Sequence, residues 1–292
     1  MNYKKPTKAI ITDAGFASRF LPLTKTMPKG MLPMGGKPAM QICIEECVEA
    51  GIQEIIIVAT PGTMGKTIYE DYFTNPLLNA KELLEKQGKS DRYEAIEKVL
   101  NFPKITVIEQ DPALPYGTAA PIVSARNLLA SDEAFLSIQA DDIVFGASDA
   151  KTMIETFEKN PDIAGVIIGQ EVSPSVVDKY GMIVMKNGNE LDHIVEKPAI
   201  GTEPSLLASY GRYLLTPDVF QFFDETGLDG ELWQVDGITK LAKYGRVIVE
   251  PTKGQWMTTG DPKNYFLATL DYALKNNPEW IDDIRKTGHG EK

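Results

Sequence analysis

Cysteine and histidine are nearly missing from this 292-residue chain, which has two of each. Cys43 and Cys47 stand four residues apart in a helix-like segment, neighbours on one helix face. That spacing gives no disulfide framework and predicts two buried, reduced thiols. No apolar stretch reaches the ~18 residues of a membrane-crossing helix. No cationic segment leads into an apolar run with a cleavage site, so the expectation is a cytoplasmic protein with no membrane partner. Runs of basic residues are also absent: 30 Lys plus Arg face 41 Asp plus Glu, a net charge of -11. That balance disfavours nucleic acid and anionic membranes as partners. Small phosphorylated partners remain open, because a few well-placed cations override an acidic average locally. Apolar residues make up 43% of the chain, which is enough for an ordered core without disulfides or metal.

Short apolar runs alternate with helix-like segments along the first half. Lys8 to Thr12 reads as a buried strand feeding the loop at Asp13-Ala14-Gly15. Pro38 to Ala50 has one apolar helix face, and Ile55 to Ala59 is a strand apolar on both faces, as in a parallel sheet covered by helices. Residues 63 to 73 look helical, and 76 to 99 form a charged, partly helical excursion. Strands are expected at 105–108, 134–138 and 165–168, with helices at 118–129 and around Met153, Ile154 and Phe157. The order predicts an α/β fold, a doubly wound Rossmann-like mixed sheet, in which 8–168 forms most of the core.

Beyond residue 170 short strands are expected at 181–185, 194–196, 209–215 and 246–249. Thr216-Pro217 and Asp261-Pro262 read as N-caps followed by a first-turn proline. The first would open a helix through Phe223; the second opens the final helix, with Phe266, Leu270 and Ala273 on one face. Residues 235–244 read as helical. No repeat or flexible linker divides the chain, so residues 1–292 are expected to form a single domain. Residues 170–260 would complete its core as a smaller, β-rich subregion lining one side of its cleft.

The most informative stretch runs from Gly15 to Pro33, directly after the first strand, where open α/β sheets place ligands. It is neither a dinucleotide fingerprint nor a Gly-Lys-Ser/Thr phosphate loop. It does carry Arg19, Lys25 and Lys29, a planar fork and two compact charges suited to phosphate oxygens. By residue type alone it fits a phosphate site and an ordinary lysine-bearing surface loop equally well.

The order of its residues is more specific. Gly15 to Arg19, Leu21-Pro22, Thr24-Lys25, Pro28 to Pro33 and Lys37-Pro38 follow the pattern Gly-x-Gly-Thr-Arg, x-Leu-Pro, x-Thr-Lys, Pro-Lys-Glu-Met-Leu-Pro, Lys-Pro. Glu49 to Ile52, Tyr116 to Ala119, Asp141 to Val144, Tyr180-Gly181, Glu196-Lys197-Pro198, Gly211 to Tyr213 and Glu231 to Gln234 continue it. The chain thereby resembles the sugar-1-phosphate nucleotidyltransferases over nearly its whole length. The 76–99 excursion resembles their uridylyl branch.

The resemblance implies in-line attack of glucose 1-phosphate on the α-phosphorus of UTP, giving UDP-glucose and pyrophosphate. The nucleophile arrives ionised, so the protein has to orient two polyanions and absorb charge. By resemblance, Arg19 holds the leaving phosphates and Lys29 neutralises the triphosphate, with Lys25 in a rim or structural role. Asp141, after a strand end, would hold Mg²⁺; by residue type alone the Asp141-Asp142 pair also suits a solvated turn or helix cap, and Asp142 is expected to be a cap or support. Ala14, Gly15, Gln110 and Gly117 would meet the uracil. Glu196 and Lys197 would bind glucose hydroxyls and the sugar phosphate, and Gly181 would admit the hexose. A homodimer or homotetramer is implied by the family alone. His193 is expected to be structural or on the surface, and His289 to lie in a frayed polar tail.

Four positions depart from the pattern. Asp13 replaces a small or apolar residue and is expected to bring another anion toward the triphosphate. Ala17 replaces the second glycine, tolerable only if positive φ is not required there. Gly30 replaces glutamate, and Thr258 stands for the aspartate of a late Asp-x-Gly that helps hold the metal. Asp13 or Asp261 would be the compensating carboxylate. The Thr258 change also keeps a noncatalytic UDP-sugar-binding regulatory protein open, beside transfer to another sugar or use of dTTP or CTP.

Overall fold

The computed structural model describes residues 3–225 and 230–286; the expectation for His289 lies outside them. The strands are β1 (Lys8–Asp13), β2 (Pro33–Met34), β3 (Lys37–Pro38), β4 (Glu54–Ala59), β5 (Lys104–Glu109), β6 (Phe135–Gln139) and β7 (Asp142–Phe145). They continue with β8 (Gly165–Glu171), β9 (Gly181–Lys186), β10 (Glu190–Glu196), β11 (Leu207–Leu215), β12 (Val247–Pro251) and β13 (Gln255–Thr258). The helices are α1 (Ala39–Glu49), α2 (Gly65–Thr74), α3 (Leu78–Lys86), α4 (Glu94–Leu100), α5 (Ala120–Ser124), α6 (Asp149–Lys159), α7 (Gln234–Tyr244), α8 (Pro262–Asn276) and α9 (Trp280–Lys286).

One nine-stranded mixed sheet has the order β5-β4-β1-β6-β11-β8-β12-β10-β9. β5, β4, β1 and β6 run parallel, while β11 pairs antiparallel with both β6 and β8. Both faces are covered, and the alternation of a strand divides its residues between them. Ile11, Ile57 and Leu136 pack under α1, α2 and α6, whereas Ile10, Ile56 and Phe135 pack under α5 and α7. The apolar runs are continuous because neither face meets water. Cys43 and Cys47 are free thiols buried in the first of these layers, and burial pushes the Cys43 thiol up to about 12.

Four local expectations are corrected, the first being that α8 is the final helix, since α9 follows it. Residues 118–129 hold only α5 followed by a 3-10 turn at Arg126–Leu128. There the Ser124 hydroxyl donates to the Ala120 carbonyl and accepts from Asp111 N, a back-bond that disfavours helix continuation. Residues Pro217–Phe222 form a 3-10 segment, and Thr216 makes no side-chain cap. On α8 the other face wins: Tyr265 and Tyr272 pack on Phe20 and Phe145 and Ala268 is buried, leaving Phe266 66% and Leu270 38% exposed. Asp261 does cap α8, accepting from Asn264 N at 3.0 Å.

Glu54 opens β4 within 2.8 Å of Lys104 and 3.2 Å of Lys8. Burial alone would raise its pKa, but hydrogen bonds and charge from the two lysines outweigh burial and hold it below the ordinary value. A depressed folded-state pKa contributes stability above the unfolded value, lost as pH falls through the folded one. Glu54→Gln is therefore expected to cost about 1 kcal/mol at neutral pH. Urea titrations in neutral and acidic buffer should show that difference shrinking toward zero in acid.

Candidate active site

The parallel strands end on one edge, and the loops leaving them build a cleft of about 670 Å³. Arg19 comes from the loop after β1, Asp141 from the turn between β6 and β7, Asp142 from the start of β7, and Thr258 and Gly260 from the end of β13 and the turn after it. Opposite them stand Gly181 of β9 and Glu196 and Lys197 at the end of β10.

The β6–β7 turn is held from several sides. Ala140 N donates to Thr12 O at 3.1 Å, which ties the turn to β1. Thr259 donates to Asp141 O through both its backbone N, at 2.6 Å, and its hydroxyl, at 3.0 Å. Asp142 is fastened by Trp256 Nε1 at 2.7 Å and Gly211 N at 3.2 Å. It thus holds its neighbours in place, the supporting part expected of it, while still lining the cleft.

Lys29 Nζ lies 2.5 Å from Asp141 Oδ2. Burial favours the neutral form of each, but their mutual attraction wins: the Lys29 pKa is raised and that of Asp141 is lowered. Asp142, desolvated and beside the Asp141 charge, is pushed up to about 6. The pair therefore presents an ionised carboxylate beside a fixed ammonium, next to one carboxyl that takes up a proton more readily.

The donor set also suits Mg²⁺. Among the described residues no three His, Cys, Asp or Glu side chains are grouped as a metal site. Mg²⁺ is commonly held by one or two carboxylates with substrate phosphates and water, and Asp141 can provide such a contact. A side-chain carbon on Gly260 would lie 3.2 Å from Thr258 Oγ1 and 3.4 Å from Asp141 Oδ2, so both oxygens face one small space.

Other sequence-predicted residues are distributed unevenly. Arg19 Nη1 donates to Gly260 O at 3.4 Å, which joins its loop to the segment after β13. Gly15, Lys25 and Lys29 line a second, small crevice with Thr60 and Thr63. Lys197 holds a positive φ of 45°, with Nζ 3.3 Å from Glu196 and 4.6 Å from the Trp233 ring centre. Ala14, Gln110 and Gly117 do not line the large cleft. Gly117 is required by packing: a Cβ there would come within 2.3 Å of Leu232 O, between hydrogen bonds joining Leu232 to Tyr116 and Ala119. Lys179, Tyr210 and Gln234 also line the cleft; Gln234 ends the Glu231 to Gln234 motif, and the sequence signal for the other two is proximity to the Tyr180-Gly181 and Gly211 motif positions.

The departures also resolve in the structure. Ala17 has φ 46° and ψ 46°, so the left-handed conformation is kept without glycine, at about 1 kcal/mol. Asp13 is 5% exposed and bonded to Gly30 N and Tyr69, so it is turned into the core and away from the cleft. Asp261 lines the cleft while capping α8. His193 is a partly exposed β10 residue paired with Asp192 at 2.7 Å, consistent with a surface role.

Residues 8–275 match the nucleotidyl transferase family. The chain is 36% identical over 280 residues to the UTP–glucose-1-phosphate uridylyltransferase of Bacillus subtilis strain 168, covering 94% of this chain and 93% of that one. A similarly named protein of Staphylococcus saprophyticus, UTP–glucose-1-phosphate uridylyltransferase 2, is 36% identical over 294 residues, covering 97% and 98%. A solved UDP-glucose pyrophosphorylase complexed with UDP-glucose superposes with a TM-score of 0.78 at 31% identity, covering 92% of this chain and 99% of that chain. A UTP-bound UGPase from Acinetobacter baumannii gives 0.83 at 27%, covering 98% and 100%. With its loop, its sheet and its full-length relatives in agreement, this chain belongs to the nucleotidyl transferase family.

Proposed function

We propose that the protein joins UTP to glucose 1-phosphate, releasing pyrophosphate and forming UDP-glucose. The observation that supports it most is the Lys29–Asp141 pair, whose carboxylate lines a cleft together with Arg19, Glu196 and Lys197. In this reading 8–168 supplies most of the nucleotide-binding core and 170–260 the sugar-binding elements. Arg19 holds the leaving phosphates, and Lys29 neutralises the triphosphate beside the attacked phosphorus. Lys25 acts from the rim. Ala14, Gly15, Gln110 and Gly117 meet the uracil; Gly181 and Glu196 bind the hexose, and Lys197 binds its phosphate. No general base is needed, because the attacking phosphate oxygen is already ionised. Asp141 would hold Mg²⁺, which when bound lowers repulsion among the phosphates and polarises the reacting phosphoryl group. The proposal extends to a cytoplasmic homodimer or homotetramer, whose assembly sedimentation would report.

The test is incubation with a panel of triphosphates and hexose 1-phosphates under several divalent metals, with identification of any nucleotide sugar formed. UDP-glucose as the preferred product is expected. UDP-glucose binding without pyrophosphate release would instead support the noncatalytic reading that Thr258 favours. Thr258→Asp adds a second carboxylate facing the space beside Asp141, and it is expected to tighten Mn²⁺ binding about tenfold. Calorimetry without nucleotide would measure this; unchanged affinity would count against a cation site between these two positions.

A further inference from the structure

Two departures from the family pattern lie apart in the chain yet touch in the fold. Asp13 ends β1, and its Oδ2 accepts from Gly30 N at 2.9 Å and from the Tyr69 hydroxyl at 2.5 Å. Gly30 sits in the 3-10 turn Lys29–Met31, the turn that aims Lys29 at Asp141. The family pattern has glutamate at position 30 and a small or apolar residue at position 13. A Cβ on Gly30 would come within 2.4 Å of Tyr69 Oη and 3.2 Å of Asp13 Oδ2. The space in which a glutamate side chain would begin is already filled, and by another carboxylate.

We infer that Asp13 is a positioning residue for Lys29: the carboxylate expected from position 30 is supplied here from β1, with Gly30 and Tyr69 making room for it and fastening it. The inference rests on the proposed role of Lys29 toward the triphosphate. A buried carboxylate is stabilised where donors meet it, and the Gly30 amide and the Tyr69 phenol both donate to Oδ2. The amide bond fixes the backbone of the residue directly after Lys29, so it sets where the lysine side chain starts.

The exchange predicts a change of sign between backgrounds. In the natural chain Gly30→Glu places a second carboxylate against Asp13 and drives a side chain into the Tyr69 hydroxyl, so kcat/KM for UTP should fall at least about tenfold. In an Asp13→Ala/Tyr69→Phe background the same substitution restores the missing carboxylate and should raise kcat/KM about tenfold, the worth of one charge-assisted hydrogen bond. Asp13→Asn, which keeps size and an acceptor but not the charge, should raise KM for UTP about tenfold at unchanged KM for glucose 1-phosphate. A general loss of structure would move both constants and the Tm.

Pyrophosphate release and thermal melting of these variants, with Lys29→Ala alongside, test the inference. If Gly30→Glu acts with the same sign in both backgrounds, or if Asp13→Asn leaves KM for UTP unchanged, the inference is overturned. Should the double-variant background fail to fold, Asp13→Asn alone decides between the two outcomes. A fully active Lys29→Ala would overturn the role of Lys29 itself, whereas an inactive Lys29→Ala beside an unaffected Asp13→Asn removes only the inference.

Discussion

Lys29→Ala is expected to lower kcat for UDP-glucose formation by about 10²- to 10³-fold, the cost of removing one preorganised charge from a transition state. Lys29 is suited to that part because its position is fixed before substrate arrives. Its ammonium is 2.5 Å from Asp141 Oδ2, and its side chain is only 14% exposed. A charge held in place needs little rearrangement as the phosphoryl group transfers, and a partly dry site strengthens its pull. The variant should also alter the pH dependence of metal binding. In the natural protein Lys29 opposes the effect of burial and holds the Asp141 pKa down. Without the lysine, burial pushes Asp141 upward, so its carboxylate is lost at a higher pH as acid is added. Steady-state kinetics together with Mn²⁺ titrations across pH would check both parts. A kcat within about threefold of the natural protein would remove Lys29 from the transition state.

Arg212→Ala is expected to cost about 3–5 kcal/mol of folding free energy, the usual range for leaving one half of a buried ion pair uncompensated. Arg212 lies on β11 and is fully buried. Its guanidinium meets Glu46 of α1 at 2.9 and 3.0 Å, donates to Asp142 O at 2.6 Å, and donates to Gly211 O at 2.9 Å. Glu46 also accepts from Ala150 N at 3.0 Å, which brings the first turn of α6 into the same network. One side chain therefore ties α1, α6, β11 and the β6–β7 junction that carries Asp141 and Asp142. The loss is a large part of the ~5–15 kcal/mol by which domains are stable, so the variant should unfold at much lower urea. Replacing Arg212 and Glu46 together by leucine should recover much of the difference, because no stranded charge remains. Urea melts of the single and double variants would measure the coupling; an Arg212→Ala loss below about 1 kcal/mol would show that the network is not a stabilising core.

The fold was legible because its signals are local. Ile10, Ile11, Ile56 and Ile57 form unbroken apolar runs, which only a sheet covered on both faces accommodates. The Arg19–Lys29 loop stands out through the order of its residues, which follows the family pattern; its residue types alone fit an ordinary surface loop equally well. Where the sequence misled, two local solutions competed and packing chose. α8 carries an apolar stripe at Phe266 and Leu270 and another at Tyr265, Ala268 and Tyr272; ring contacts with Phe20 and Phe145 selected the second. The pairing of β13 with β7, which brings Thr258 opposite Asp142, joins segments more than a hundred residues apart and has no local signal.

The sequence by itself determined the alternation of strands and helices, the absence of a disulfide framework and the cationic loop, since each depends on neighbouring residues and their periodicity. Tertiary structure alone decided which way the charged groups point. The resemblance implies that Asp13 stands near the triphosphate; in the fold it turns inward to Gly30 and Tyr69, because a carboxylate at a buried strand end goes where hydrogen-bond donors meet it. Lys29 meets Asp141 for the same reason: desolvated opposite charges find each other across the chain, and no spacing along the sequence records that encounter.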